Sequence, residues 1–162
     1  MKKLFYLLIV FGISNIAMAQ YTLIPDAKFE AKLIELGIDK DGANGKVLTT
    51  SISSVTTLTV SWSGISNLTG IANFTSLKQL YCSFNKLTNL DVSKNKDLEK
   101  LICGANKLTS LDVSKNSALI ELNCTKNTDL KIICIGKEIN TQINLKKDEQ
   151  AEWSNDCKVK GK

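Results

Sequence analysis

The sequence predicts a solenoid of stacked coils, and two recurring segments carry that prediction. The segment LKQLYCSFNKL at 77–87 returns at 98–108 as LEKLICGANKL, and again in shortened form at 119–127. A second segment, LDVSKN at 90–95, returns unchanged at 111–116. Both recur at a period of 21 residues. A fixed period of this kind is typical of coils that stack side by side, because one coil cannot bury its own apolar face.

The spacing L-x-x-L-x-C-x-x-N-x-L is that of a leucine-rich repeat, so the predicted fold class is a leucine-rich repeat solenoid. We assign residues 47–135 to this solenoid. We expect a right-handed coil of about four to five turns. Its short parallel strands should lie near 58–60, 80–82, 101–103 and 122–124.

Residues 1–19 have the features of a secretory signal peptide. Two lysines precede an apolar run at 4–13, and the small-residue pattern A-x-A follows at 17–19. The run is too short to span the roughly 30 Å of hydrocarbon in a bilayer, and no later segment is apolar enough to cross a membrane. We therefore predict a mature protein that is secreted or located in the cell envelope.

Residues 20–46 are predicted to form an N-terminal cap. Phe29, Leu33 and Leu36 recur at helical spacing and would form one apolar face. Gly37 would end that helix. Such a helix would cover the open end of the first coil, which otherwise exposes apolar side chains.

The turn after this helix resembles a calcium-binding loop. Asp39, Asp41 and Asn44 supply side-chain oxygen atoms at close spacing. A complete loop also needs an oxygen ligand at its fifth position and a glutamate at its twelfth. This sequence has Ala43 and Thr50 there. The alternative, which we favour, is a turn rich in Gly, Asn and Asp that connects the cap helix to the first strand.

The repeat is lost after Asn127. We expect a closing strand at 130–135, followed by an irregular C-terminal cap and tail at 136–162. Cys134 and Cys157 lie outside the repeated cysteine position. In an exported chain, a disulfide between them would fasten the cap onto the last coil.

The other cysteines, Cys82, Cys103 and Cys124, recur at one position of the repeat. Zinc sites usually contain close C-x-x-C pairs, which this spacing does not provide. Side chains stacked in parallel also suit the disulfide torsion poorly. We therefore predict a column of buried free thiols and no metal site, because free cysteine packs as a small hydrophobic residue.

Asparagine also recurs at fixed repeat positions, at Asn85, Asn106 and Asn127. We expect these side chains to turn inward and to hydrogen-bond backbone groups of adjacent coils, since buried backbone polar groups need partners. Asn95 and Asn116 should have a similar role on the opposite side of the coil.

The composition argues against two classes of function. The chain contains no histidine and no arginine. The absence of histidine removes the usual general base and the commonest zinc ligand. The absence of arginine removes the side chain that grips phosphate most effectively. We therefore predict that the protein is not an enzyme, needs no cofactor and does not bind nucleic acid.

Three motifs together carry a family resemblance. They are IPDAKFE at 24–30, LTGIANF at 68–74 and the two LDVSKN segments. In this combination the chain resembles secreted bacterial leucine-rich repeat proteins over residues 22–135. The resemblance implies an extracellular or cell-surface protein whose repeats bind other macromolecules, and it implies no catalytic residues.

Side chains alternate across a strand, so the residues between the inward leucines and cysteines form an outward surface, which we name the strand face. Its candidate ligand-binding residues are Gln79, Tyr81, Lys100, Ile102, Glu121 and Asn123. Phe84 lies near its edge. We predict a monomeric binding module for an extracellular protein or a surface glycan. The alternative is a purely structural or fragmentary solenoid without its own ligand site.

Overall fold

The computed structural model describes residues 20–136, 144–155 and 157. The predicted signal peptide at 1–19 lies outside the described residues. The end of the predicted tail, at 158–162, also lies outside them.

The N-terminal part of the described chain, at 20–53, contains two short strands and two short helices. They are β1 (Tyr21–Leu23), α1 (Ala27–Glu35), β2 (Lys46–Leu48) and α2 (Thr49–Ser53). Strands β1 and β2 pair antiparallel. Helix α1 begins after Asp26, whose Oδ1 accepts hydrogen bonds from the backbone N–H groups of Lys28 at 2.9 Å and Phe29 at 3.1 Å. This side chain is a typical N-cap, which explains where the helix starts.

The apolar face of α1 seals the first coil. Phe29 and Leu33 are fully buried. The Phe29 ring packs against Phe74, with 6.3 Å between the ring centroids. Leu36, predicted on the same face, is 42% exposed because it is the C-cap residue, where the helix ends. The buried face of the cap helix is therefore shorter than the sequence spacing suggests.

Asp26 of the IPD motif contacts the two residues that precede the LTGI motif. The second carboxylate oxygen of Asp26 accepts hydrogen bonds from the Ser66 backbone at 2.8 Å, the Ser66 hydroxyl at 2.7 Å and the Asn67 backbone at 2.9 Å. Burial alone would raise the pKa of Asp26, but these hydrogen bonds lower it below its ordinary value. One carboxylate thus caps α1 and ties the cap to the first coil.

In the described part of the chain, eight further strands follow these elements. They are β3 (Thr57–Thr59), β4 (Gln79–Tyr81), β5 (Lys100–Ile102), β6 (Ser110–Asp112), β7 (Glu121–Asn123), β8 (Ile132–Cys134), β9 (Asn144–Lys146) and β10 (Glu152–Ser154). A five-stranded parallel sheet has the order β3-β4-β5-β7-β9. Its first four strands each begin one residue before the predicted positions. The predicted leucine-rich repeat solenoid is therefore confirmed.

A second parallel sheet lies on the LDVSKN side of the coils, in the order β10-β8-β6. An isolated bridge between Asp91 and Asp112 extends the pairing by one more coil. In the LDVSKN turns, the Asp91 carboxylate accepts a hydrogen bond from the Ser93 backbone at 2.9 Å. Ser93 is thus part of a polar turn.

The C-terminal segment is more regular than the loss of the sequence repeat suggests. β9 adds to the five-stranded sheet beside β7, and β10 adds to the second sheet beside β8. Parallel pairing depends on backbone hydrogen bonds and therefore does not need a repeated sequence. It needs apolar side chains to pack on the core, and Leu145, Ala151 and Trp153 supply them. The described part of 136–162 therefore contains two strands, where the sequence predicts an irregular cap.

The asparagine positions form a ladder inside the solenoid. The Asn106 amide nitrogen donates to the carbonyl oxygens of Cys82 and Cys103, each at 3.0 Å, and its Oδ1 accepts from the Leu87 backbone at 3.1 Å. Asn85 and Asn127 make equivalent bonds one coil away on either side. The inward orientation predicted for these residues is confirmed.

The repeated cysteines form the predicted column of buried free thiols. Cys82, Cys103 and Cys124 are free and fully buried. Burial raises the pKa of Cys82 to about 12. Burial, together with the nearby Asp148 carboxylate, raises the pKa of Cys124 to about 12 as well. These thiols therefore stay protonated and pack as core residues.

Candidate ligand-binding face

The strand register arranges the predicted ligand-binding residues in two rows. Gln79, Lys100 and Glu121 are Cα partners across β4, β5 and β7. Tyr81, Ile102 and Asn123 form the second row across the same strands. The side chains of all six are partly exposed on the strand face. The structure therefore brings together every predicted residue of this candidate site.

The polar groups in the first row are already engaged with one another. The Lys100 Nζ and the Glu121 carboxylate form an ion pair at 2.5 Å. The hydrogen bond to Glu121 raises the pKa of Lys100. The Tyr81 hydroxyl donates to the Gln79 Oε1 at 3.1 Å. The ring of Tyr81 and the side chain of Ile102 form the apolar part of the face.

An aromatic pair at the edge of this face is a feature that the sequence analysis missed. Trp62 is 74% exposed and Phe84 is 39% exposed. Their rings stack with 3.6 Å between centroids and an interplanar angle of 9°. The spacing of the repeats could have predicted this pair. Residues 55–60 align with 77–82 at a spacing of 22, and the same spacing places Trp62 and Phe84 at one repeat position.

Cys134 and Cys157 are joined by a disulfide, with 5.3 Å between their Cα atoms. The bond links the end of β8 to the segment after β10. Among the described residues, the sulfur atoms of these cysteines and the Asp112 carboxylate are the one group close enough to hold a metal ion. Because both sulfurs are joined to each other, they are not available as thiolate ligands.

The loop that resembles a calcium site is held by hydrogen bonds of its own. The Asp39 Oδ1 accepts from the Asp41 backbone at 3.3 Å, and the Asn44 amide donates to the Asp41 carboxylate at 3.3 Å. The buried Glu30 carboxylate accepts from the Asn44 and Gly45 backbone N–H groups at 2.7 and 2.5 Å. These contacts are those of a polar turn anchored to helix α1.

Within this turn, the negative charge of Asp39 is in an unfavourable environment. Its side chain is buried, and its Oδ2 has no hydrogen-bond partner among the described residues. Burial, together with the neighbouring carboxylates of Asp41 and Glu30, raises the pKa of Asp39 to about 6. An aspartate in an unfolded chain titrates near 3.9.

We expect Asp39→Asn to raise the free energy of unfolding at pH 7 by about 1–2 kcal/mol. Between about pH 4 and pH 6 folded Asp39 binds more protons than the unfolded chain, so the wild type loses stability as the pH rises. The variant lacks this loss. Urea unfolding of the wild type and the variant at pH 4 and pH 7 measures the difference in the free energy of unfolding. The control is Asp97→Asn, because Asp97 is exposed. A gain of equal size at both pH values would contradict the explanation.

No helix among the described residues is long and apolar enough to cross a membrane.

The strands, the asparagine ladder and the buried cysteine column define the chain as a leucine-rich repeat solenoid. Its fold is similar to that of internalins from Listeria monocytogenes. An internalin (inlF) matches with a TM-score of 0.54 at 24% identity, over 72% of this chain and 38% of that chain. An internalin C2 (inlC2) matches with a TM-score of 0.48 at 19% identity, over 75% of this chain and 51% of that chain.

The functional domain of InlJ from the same organism, described as including a cysteine ladder, matches at 23% identity and a TM-score of 0.40, over 80% of this chain and 43% of that chain. The sequence itself matches no family model, and no curated protein matches it. The chain spans between 38% and 51% of the length of these internalin structures. Likeness at these identities establishes the fold alone.

Proposed function

We propose that this protein is a secreted or envelope-located binding module without enzymatic activity, which recognises an extracellular protein or surface glycan through its strand face. The observation that carries the proposal is the apolar spot made by Tyr81 and Ile102. These two side chains are Cα partners in neighbouring strands and stay partly exposed. An aromatic anchor with an aliphatic neighbour, in a surface that is otherwise polar, is how binding hot spots are usually built.

The charges of the strand face are expected to contribute less to binding. Lys100 and Glu121 already form an ion pair with each other. Exposed pairs of this kind add little energy, and a ligand that engaged either side chain would first have to break the pair. They are better suited to excluding wrong partners than to holding the right one.

Secretion is part of the proposal and rests on two features. The N-terminal 19 residues have the pattern of a signal peptide. The disulfide between Cys134 and Cys157 is of a kind that persists in oxidising compartments. We propose that the mature chain divides into the cap at 20–46, the solenoid at 47–135 and the C-terminal segment that follows.

A binding role also agrees with the chemistry of the described side chains. The buried thiols of Cys82, Cys103 and Cys124 are inward and have raised pKa values, so they are poor nucleophiles. Ser93 and Ser114 lie in polar turns, where an aspartate carboxylate accepts a hydrogen bond from each backbone N–H.

The test is capture of the partner from the native surroundings, followed by direct measurement of its affinity. We expect Tyr81→Ala combined with Ile102→Asp to weaken binding by about 30-fold or more, as for a central hot spot. Charge reversal at Lys100 or at Glu121 should weaken it less. The exposed Thr109→Ala, which lies off the strand face, is the control. An unchanged affinity of the double variant for a captured partner would refute the strand-face proposal.

A further inference from the structure

One repeat position forms a column of residues in the left-handed region of the backbone. Trp62, Phe84, Ala105 and Lys126 have φ values of 61°, 56°, 52° and 61°. Each immediately precedes a position of the asparagine ladder or its Ser63 equivalent. Backbone hydrogen bonds between coils hold the column, for example from Phe84 to the Gly104 carbonyl at 3.0 Å. Bulky side chains rarely adopt such φ values.

The side chains of this column leave a slot at the level of Ala105, between Phe84 and Lys126. Trp62 covers one face of the Phe84 ring. Above that ring, the Lys126 Nζ lies 5.8 Å from the ring centroid. The coil between Phe84 and Lys126 contributes only the methyl group of Ala105. The result is a cavity of about 250 Å³, lined by Ser83, Phe84, Ile102, Gly104, Ala105, Asn123, Thr125 and Lys126.

The size and lining of this slot select a small, flat ligand group. Its volume lies below the roughly 300–1,000 Å³ of pockets for drug-sized ligands, so it has room for one ring. A standard protein interface covers about 800 Å² on each partner, which a slot of this size does not provide. The lining combines the aromatic residue Phe84 with the polar residues Ser83, Asn123 and Thr125, whose side chains hydrogen-bond within the protein.

The positive charge of Lys126 in the slot favours a ligand that carries a negative charge. Lys126 forms no ion pair with a carboxylate among the described residues. Its ammonium group lies over the Phe84 ring in a cation–π contact, and a carboxylate of an anionic ligand would replace that contact. The formal charge is +5 for the full sequence and +3 without Lys2 and Lys3 of the predicted signal peptide, and a positive charge favours the approach of an anionic polymer.

We propose that this slot binds one pyranose ring of an acidic extracellular polysaccharide. The C–H face of the sugar packs on the Phe84 ring, which Trp62 supports from behind. The Lys126 ammonium group moves off the ring to admit the sugar and pairs with the uronate carboxylate. Aromatic rings suit this contact because they offer a rigid apolar face. The inference rests on the proposed function, since Ile102 and Asn123 belong to both the slot and the strand face, and it names the ligand class.

The test is titration of the full mature protein with a hexameric oligouronate and with a neutral glucan hexamer of the same length. The decisive variant is Ala105→Phe, which fills the slot. It is expected to fold, because Trp62 and Phe84 place aromatic rings on the same backbone conformation one and two coils away. We expect Ala105→Phe and Phe84→Ala each to weaken oligouronate binding by about tenfold or more.

Lys126→Gln separates the charge from the shape of the slot. We expect it to weaken oligouronate binding by about tenfold and to leave binding of the neutral glucan unchanged. Thermal unfolding of each variant verifies that it is folded. The slot proposal is overturned if the wild type binds no oligouronate, binds the neutral hexamer equally well, or is unaffected by Ala105→Phe.

A different variant, Tyr81→Ala, tests the strand-face proposal. Tyr81 does not line the slot. If Tyr81→Ala loses a captured partner while Ala105→Phe retains it, the strand face is the binding surface and the slot is not. If Ala105→Phe loses oligouronate binding and Tyr81→Ala retains it, the slot acts independently of the apolar spot.

Discussion

Replacing Asn106 by leucine is expected to lower the free energy of unfolding by about 3–5 kcal/mol. Leucine has nearly the same shape but cannot replace the hydrogen bonds of the amide. The N–H of Leu87 would be left without a partner inside the solenoid, and such a buried group costs about 1–3 kcal/mol. The carbonyl oxygens of Cys82 and Cys103 would each lose the amide of Asn106 and keep one other donor, from Asn85 and Asn127 respectively. Each of these two lost hydrogen bonds adds about 0.5–1.5 kcal/mol. A loss of this size approaches the whole stability of many single domains, about 5–15 kcal/mol.

Urea unfolding followed by circular dichroism measures this loss. The control is Asn89→Leu, because Asn89 is exposed and lies outside the ladder. It should change the free energy of unfolding by less than about 0.5 kcal/mol. If Asn106→Leu has an equally small effect, the ladder does not stabilise the solenoid in the way that its hydrogen bonds indicate.

Asn106→Asp gives a sharper version of the same experiment. The carboxylate keeps the shape and one acceptor oxygen, but it places a second oxygen against the carbonyl groups of Cys82 and Cys103. An ionised carboxylate buried against acceptors is strongly destabilising. We therefore expect Asn106→Asp to be less stable than Asn106→Leu at pH 7, and to recover part of the loss at acidic pH.

The parts of this fold that the sequence predicts are those that repeat. Asn85, Asn106 and Asn127 recur because every coil must satisfy the same backbone groups at the same bend. The thiols of Cys82 and Cys103 recur because each coil contributes one small apolar residue to the same layer of the core. A physical requirement that returns every 21 residues leaves a periodic signal in the sequence.

The ends of the solenoid were harder to predict because each occurs once. Asp148 lies 21 residues after Asn127 and continues the ladder with a carboxylate. Its two oxygens accept hydrogen bonds from the backbone N–H groups of Lys126 and Asn127, each at 2.9 Å. A carboxylate accepts hydrogen bonds but cannot donate them, so the donation of the ladder's side-chain amides to carbonyl groups of their own coil and the preceding coil ends with Asn127. The sequence spacing contained this signal, but the change of residue type concealed it.

The ligand-binding features divide in the same way. The strand face follows from alternation along each strand, so the outward positions of Tyr81 and Ile102 could be predicted from the sequence. The slot depends on differences between coils, namely an aromatic ring at Phe84, a methyl group at Ala105 and an ammonium group at Lys126. The period of the repeat predicts where a column of equivalent residues lies. It does not predict the cavity or the charge that results when one coil has a different residue type in that column.

The second large effect is expected at Gly70, where the cap meets the first coil. Gly70 has φ 102°, a conformation that other residues rarely adopt. A Cβ atom here would overlap the Cδ1 of Ile24 and would lie 2.8 Å from the Leu23 carbonyl oxygen and 3.2 Å from the Thr22 Cγ2. Because Ile24 is fully buried and the Leu23 contact is with backbone, the cap would have to move away from the coil.

We expect Gly70→Ala to lower the free energy of unfolding by about 2–5 kcal/mol, the sum of backbone strain and overpacking. The matched control is Gly37→Ala, since Gly37 also has a positive φ, of 68°, but a Cβ atom added there would have no neighbour within 4 Å. Strain alone should cost this control about 1 kcal/mol. Denaturant unfolding gives both values, and hydrogen exchange of the α1 amides reports whether the cap has loosened. Equal losses in the two variants would show that backbone strain alone explains the effect of Gly70→Ala. The contact of a Cβ atom with Ile24 and Leu23 would then add nothing, and the close fit of the cap would not be needed for stability.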